Sequence, residues 1–290
     1  MIMSRSIQLA LLVVVPLIVL SAVFVLNRSL GLAAGGRDYV LRIELPAADG
    51  SIDLPRITGP PDASRPLVVI DPGHGGHDPG AGTGGYREKE VTLQLARAIR
   101  DELIAGGGIR VALTRDEDRY LMLAERTSIA RRLGADLFVS IHADSAEVDT
   151  ARGASVYVLS EKGSSEAAAR IAARENRADT INGVSFSETS DTVGAILLDL
   201  SQREAQAGSY EMASLVLREI RDEVDLHSGA VQSAAFAVLK APDIPSVLFE
   251  TGYISNPEDA AFLSSPHGRQ VIARAAARAI RVYFARQSGA

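Results

Sequence analysis

The chain has 290 residues, 47% of them hydrophobic and 23% charged, a formal net charge of -6 and no cysteine. That length and composition fit one large globular domain or two small ones, and the charge lacks the basic excess of a nucleic-acid binder. Without cysteine there are no disulfides, thiolate metal sites or cysteine nucleophiles, so any metal must be held by His, Asp or Glu.

Arg5 precedes an apolar run over residues 9–26, broken only by Pro16 and Ser21. The run is longer than the ~7–15-residue core of a secretory signal and shorter than the ~20 residues of a spanning helix. Residues 1–36 are therefore read as an N-terminal apolar helix, either a signal peptide or a membrane anchor. Small residues at Gly31, Ala33 and Ala34 offer a cleavage point. Both readings export the rest of the chain. Residues 37–66 read as a linker: 39–45 alternate enough for one strand, and Pro46, Pro55, Pro60, Pro61 and Pro66 punctuate the remainder.

From Leu67 onward the pattern becomes α/β. Residues 67–70 are four consecutive aliphatics, the mark of a strand buried on both faces. Asp71 and Pro72 end it, and His74 follows between Gly73 and Gly75-Gly76. This is not G-x-G-x-x-G opening a helix, because Pro79 interrupts the place where that helix would start. Residues 88–105 form a helix whose Val91, Leu95, Ile99 and Leu103 give one apolar stripe, stopped by glycines 106–108. A strand at 110–114, a helix at 121–133 and a buried strand at 137–141 follow, the last running straight into His142. Then come a strand at 154–159, a helix at 166–178, two helices at 192–204 and 210–224, a strand at 236–239, a strand at 246–249 that runs into Glu250, and a closing helix at 266–285. Strands alternating with helices predict a single α/β domain over 67–286, its mainly parallel sheet covered by helices on both faces.

His74, His142 and Glu250 each stand just past a separate apolar strand, at the carboxyl edge where open α/β sheets bind ligands. Two histidines and one carboxylate with a fourth position open make a catalytic zinc set, and a further carboxylate then serves as general base or acid. Glu88, Glu90 and Glu250 compete for the ligand role. Glu88 and Glu90 also complement the dipole of the helix they open. Glu88 shares the face of the buried stripe, whereas Glu90 points to solvent. His227 and His267, in polar helix-flanking stretches, are expected at the surface. The absence of HExxH argues against the commonest zinc peptidases, and no G-x-S-x-G points to a serine hydrolase.

VVIDPGHGGHDPGA, REKEVTLQLA, LFVSIHAD and PSVLFETGYISNPED, in this order, resemble the zinc-dependent N-acetylmuramoyl-L-alanine amidases of bacterial cell walls, of the cell-division type. The resemblance covers roughly residues 67–284. It implies Zn2+ held by His74, Glu88 and His142, with Glu250 as the catalytic glutamate and no ligand role for Glu90 or His77. It implies hydrolysis of the bond between the lactyl group of N-acetylmuramic acid and L-alanine in peptidoglycan, for wall remodelling and daughter-cell separation. Leu113-Thr114-Arg115 and Arg126 share the family pattern and are read as structural. The alternatives are a zinc hydrolase of other amide specificity, peptidase or deacetylase, and a catalytically silent wall-binding regulator.

Residues 174–204 read as a regulatory insertion. Val193, Ile196, Leu197 and Leu200 recur at helical spacing behind the polar stretch 187–191, which by itself suits an added surface helix capped at Asp191. ENRADTINGV followed by AILLDLSQRE resembles the segment that, in the cell-division amidases, folds across the zinc site until a LytM-type activator displaces it. That resemblance implies a blocking acidic residue, a competent fourth zinc ligand. Glu188 is the first candidate and Glu175 the second.

Overall fold

The computed structural model describes residues 21, 54–146, 151–181, 184–185 and 195–288, without the side chains of 83, 180–181, 184–185 and 195–201. The strand expected at 39–45, all of the apolar run 9–26 except Ser21, and Glu188 lie outside the described residues. Among the described residues no helix is long and apolar enough to cross a membrane.

A six-stranded sheet forms the centre. Its strands are β1 (Leu67–Pro72), β4 (Arg110–Leu113), β5 (Leu137–His142), β6 (Ser155–Leu159), β9 (Gln232–Ala234) and β10 (Ser246–Glu250), in the order β4-β1-β5-β10-β6-β9. β4, β1, β5 and β10 run parallel, β6 is antiparallel to β10, and β9 is parallel to β6. The sheet is thus mainly parallel. Every residue of β1, β5 and β10 is buried, as strands covered on both faces must be.

Period-two alternation divides the strand residues between two cores. Val68, Ile70, Val139, Ile141, Val247 and Phe249 face helices α1 (Glu88–Gly106), α4 (Ala195–Ile220) and α6 (Pro266–Gln287). Val69, Phe138, Tyr157 and Leu248 face α2 (Leu123–Leu133), α3 (Glu166–Glu175) and a short 3-10 turn at Ala237–Leu239. Ahead of β1, Thr58 already exchanges backbone hydrogen bonds of 2.8 and 2.9 Å with Val111, at the outer edge of β4.

Several elements depart from the sequence expectation. Residues 192–204 and 210–224 predict two helices, but a single helix, α4, runs from Ala195 to Ile220. Gly208 does not break it. A Cβ there would meet the Tyr283 hydroxyl at 2.8 Å and Pro245 Cγ at 3.0 Å, so glycine is required for close packing. The strand expected at 236–239 is the 3-10 turn, and the strand lies upstream at Gln232–Ala234. Backbone pairing with β6 recruits this polar segment, while Phe236, Val238 and Leu239 turn down into the α2–α3 core. The helix expected at 166–178 is α3 to Glu175, then a 3-10 turn at Asn176–Asp179. Helix α5 (Pro257–Ser264) was not anticipated, although Asn256 and Pro257 announce it: the Asn256 side chain accepts from the amides of Glu258 and Asp259. Two small hairpins, β2 (Gly82–Thr83) with β3 (Tyr86–Arg87) and β7 (Thr180–Ile181) with β8 (Val184–Ser185), complete the structure.

Candidate metal centre

The loop after β1 is built to present His74. This residue has φ 58°, the one positive φ among described residues that are not glycine. A left-handed residue other than glycine costs ~1–3 kcal/mol and persists only where its surroundings enforce it. Here the enforcement is two buried arginines. Arg126 donates to the carbonyls of Pro72 at 2.8 Å and His74 at 3.0 Å, and to the buried carboxylate of Asp71 at 2.9 Å. Arg115 donates to the carbonyls of Pro72, Gly73 and Lys89 at 3.1, 2.7 and 2.9 Å. Burial disfavours the Asp71 anion, but Arg126, Thr114 and Ser140 outweigh it and hold the carboxyl below its usual range. The structural reading of Arg115 and Arg126 thus acquires a target, the backbone on either side of His74.

His74 Nδ1 donates to Asp78 Oδ2 at 2.8 Å, which leaves Nε2 facing inward. Glu88, the first residue of α1, is buried beneath it, whereas Glu90 is exposed. Glu88 Oε2 accepts the Ala81 amide at 2.8 Å and Oε1 accepts the Ala143 amide at 2.9 Å, so the carboxylate is clamped from both sides. His142 ends β5, with Nδ1 3.1 Å from Glu88 Oε1. A fourth side chain closes the group. Glu175, the last residue of α3, brings Oε2 within 3.2 Å of His74 Nε2 and 3.1 Å of His142 Nδ1. One ligand atom from each of His74, Glu88, His142 and Glu175 lies within 4.8 Å of every other, and all four residues are buried.

This set fits a divalent metal ion. His74 Nε2 and Glu175 Oε2 are close together and buried, yet neither makes a hydrogen bond. Atoms crowded without hydrogen-bond geometry are what ligands converging on a shared ion produce. The charges agree as well. Burial opposes the charged form of both imidazoles, but Glu88 drives His74 well above its ordinary range and Glu175 drives His142 to about 10. The buried carboxylates thus make this pocket favour positive charge, which a dication supplies when both imidazoles are neutral.

Next to this group lies a second one, in which ligand atoms of Asp144, Glu175 and Glu250 fall within 4.8 Å of each other. Glu250 pairs in register with His142 across β10 and β5. Its Oε2 accepts the Asp144 amide at 3.1 Å, and its Oε1 is buried without a partner. Burial, then the Asp144 charge, raise the Glu250 carboxyl well above its ordinary range. The Asp144 carboxylate is bound by the Arg174 guanidinium. A cleft of about 330 Å³ opens beside His74, Glu88 and Asp144, with Arg174, Glu175, Arg177 and Ala178 among the residues that line it.

The residues singled out in the sequence therefore sort cleanly. His74, Glu88, His142 and Glu250 come together from four elements, as does Glu175. His77 is exposed and stacks on Tyr120, with ring centroids 4.1 Å apart. His227 and His267 are exposed. Asp78 and Asp144 escaped the sequence reading. Their only signal was position: each is an acidic residue within four places of a histidine at a strand end.

Gly73 tests how closely this centre is fitted. A Cβ there would sit 2.5 Å from His142 Cε1 and 2.6 Å from Nε2. Gly73→Ala is expected to displace the ring and to lower metal affinity by about 10–100-fold, the loss typical of a disturbed ligand orientation. Competition against a chelating dye measures this; unchanged affinity would mean that the ring position is not needed.

Residues 68–282 match a family model described as N-acetylmuramoyl-L-alanine amidase. The chain is 44% identical to the N-acetylmuramoyl-L-alanine amidase AmiA of Salmonella typhimurium, over 76% of this chain and 77% of the relative. It is 42% identical to the amidase AmiC of Neisseria meningitidis, over 76% of this chain and 53% of that longer protein. Among solved structures, the amidase AmiC2 of Nostoc punctiforme superimposes with a TM-score of 0.54 at 31% identity, covering 76% of this chain and 97% of the other.

Proposed function

The chain belongs to the N-acetylmuramoyl-L-alanine amidase family, and from that premise we propose that it is a zinc-dependent hydrolase of the amide bond joining N-acetylmuramic acid to L-alanine in peptidoglycan. The observation that carries the zinc reading is the convergence of His74 Nε2, His142 Nδ1 and the Glu88 carboxylate in a buried cluster with unsatisfied atoms. His74, Glu88 and His142 are the ligands. Zinc held there supplies a Lewis acid and lowers the pKa of a water to roughly 7. Asp78 fixes the tautomer of His74, and the Ala81 and Ala143 amides fix Glu88. Glu250, with a free oxygen and a raised proton affinity, takes a proton from the attacking water and returns it to the departing nitrogen. The site of action is the cell envelope, and the physiological role is wall remodelling at daughter-cell separation.

Digestion of purified peptidoglycan tests this directly. The released products should be stem peptides with N-terminal L-alanine and glycan chains with bare lactyl groups, identified by mass spectrometry. A chelator should abolish release and zinc should restore it. Cuts within the peptide or between sugars would reject the amidase assignment in favour of another specificity.

Glu175 supports a second element of the proposal, autoinhibition by residues 174–204. Its carboxylate takes the place beside His74 and His142 that a substrate group needs. The segment behind it is anchored. Asp179 Oδ1 accepts the Leu123 amide and the Tyr120 hydroxyl, each at 3.0 Å, and Asn176 exchanges hydrogen bonds of 2.8 Å with the backbone at Ala235 and Ala237. Glu175 is thus the blocking residue of this proposal, ahead of Glu188. A LytM-type activator that displaces the segment is the implied partner.

A further inference from the structure

The acidic group beside the metal centre holds more carboxylate than proton transfer requires. Asp144 is 1% exposed, its amide serves Glu250, and its side chain binds Arg174. Arg174 and Glu175 are adjacent in the chain, so one dipeptide delivers a cation to Asp144 and an anion to the histidines. Amide hydrolysis yields the same two charges. The C–N bond of the amide breaks and the water oxygen bonds to the carbonyl carbon. The two water protons and the amide proton finish on nitrogen, leaving one carboxylate and one ammonium.

We propose that Asp144 is the seat of the amine that the reaction releases, and that Arg174-Glu175 fills the site as a mimic of the two products. Glu175 stands where the lactyl carboxylate forms, and the Arg174 guanidinium stands where the alanine ammonium forms. The geometry supplies both halves. Asp144, Glu175 and Glu250 offer ligand atoms within 4.8 Å of each other, so a nitrogen at Asp144 lies beside the group that returns its proton. Glu250 Oε1, buried without a partner, is the second open acceptor there. Once the segment leaves, Asp144 keeps its buried place without the Arg174 guanidinium, and a substrate nitrogen that donates to it restores the lost pairing. This inference rests on the amidase reading and names the group that recognises the alanine side of the scissile bond.

The test uses the zinc-loaded full chain carrying Arg174→Ala and Glu175→Ala as the parent, and the same chain with Asp144→Asn added. The probes are the stem peptide that the parent releases from peptidoglycan and that peptide after N-acetylation, titrated by calorimetry. The parent should prefer the free amine by about tenfold or more, as one charge-assisted hydrogen bond gives. Asp144→Asn, nearly isosteric and keeping the amide that Glu250 accepts, should bind the two peptides within about twofold of each other. A selective loss of this preference is not expected of a merely structural residue, which would weaken both peptides alike. An Asp144→Asn chain that keeps the full preference overturns the assignment. Should that variant fail to fold, the parent alone decides, because equal affinity for the two peptides overturns it as well. A parent that releases no L-alanyl peptide at all overturns the amidase reading and this inference with it, an outcome distinct from the other two.

Discussion

Glu250→Gln is expected to retain one zinc per chain and to lose about 10²–10⁴-fold in kcat, the usual contribution of a positioned acid–base group. The substitution keeps the size of the side chain and removes its proton affinity. Glu250 is not among the four groups that converge on the metal position, so the ion has no reason to leave. His142→Ala and Glu88→Ala should behave in the opposite way and lose the zinc itself. For Glu88 the loss is compounded, because its carboxylate also accepts the Ala81 and Ala143 amides, which would be left unpaired. Metal content by mass spectrometry and turnover on labelled peptidoglycan separate the two classes. A Glu250→Gln protein without zinc, beside a Glu88→Ala protein with it, would reverse the roles of the two carboxylates.

Glu175→Ala is expected to raise basal turnover by about tenfold or more. The native carboxylate lies near both His74 Nε2 and His142 Nδ1. Removing that carboxylate takes away the contact that holds the segment over the site, and ~1.4 kcal/mol is a tenfold change in the open population. Burial opposes the Glu175 anion, yet His142 and His74 lower its carboxyl to about 2, and a zinc ion held by the same imidazoles would favour the anion in their place. The measurement is dye release from labelled sacculi by the full chain, without any activator and at matched zinc content. An Ala variant no more active than the native protein would end the autoinhibition reading.

The residues that carry the site were legible because each is tied to a local signal. Four aliphatics in a row specify a doubly covered strand, and the residue just past such a strand stands at the sheet's functional edge. That reasoning reached His74, His142 and Glu250 from one sequence. It separated Glu88 from Glu90 weakly, by the side of the apolar stripe, and the burial of one and exposure of the other follow that division. The elements that misled were those whose signal is not local. Gly208 falls between the two expected helices, yet it lies inside one continuous helix and packs against Pro245 and Tyr283. Gln232–Ala234 has no apolar pattern and becomes a strand because β6 offers an edge to pair with.

By itself, then, the sequence determined the α/β class, the mainly parallel sheet and the identity of the groups at its edge, since periodicity, strand termini and glycine-rich turns act over a few residues. Only the tertiary structure decided what meets those groups from far along the chain. Glu175 and Arg174 reach the site from the end of α3, and two buried arginines hold the backbone around His74. Such meetings depend on how α3 and α2 pack across the sheet. The geometry of packed faces sets that distance, and no spacing along the chain encodes it.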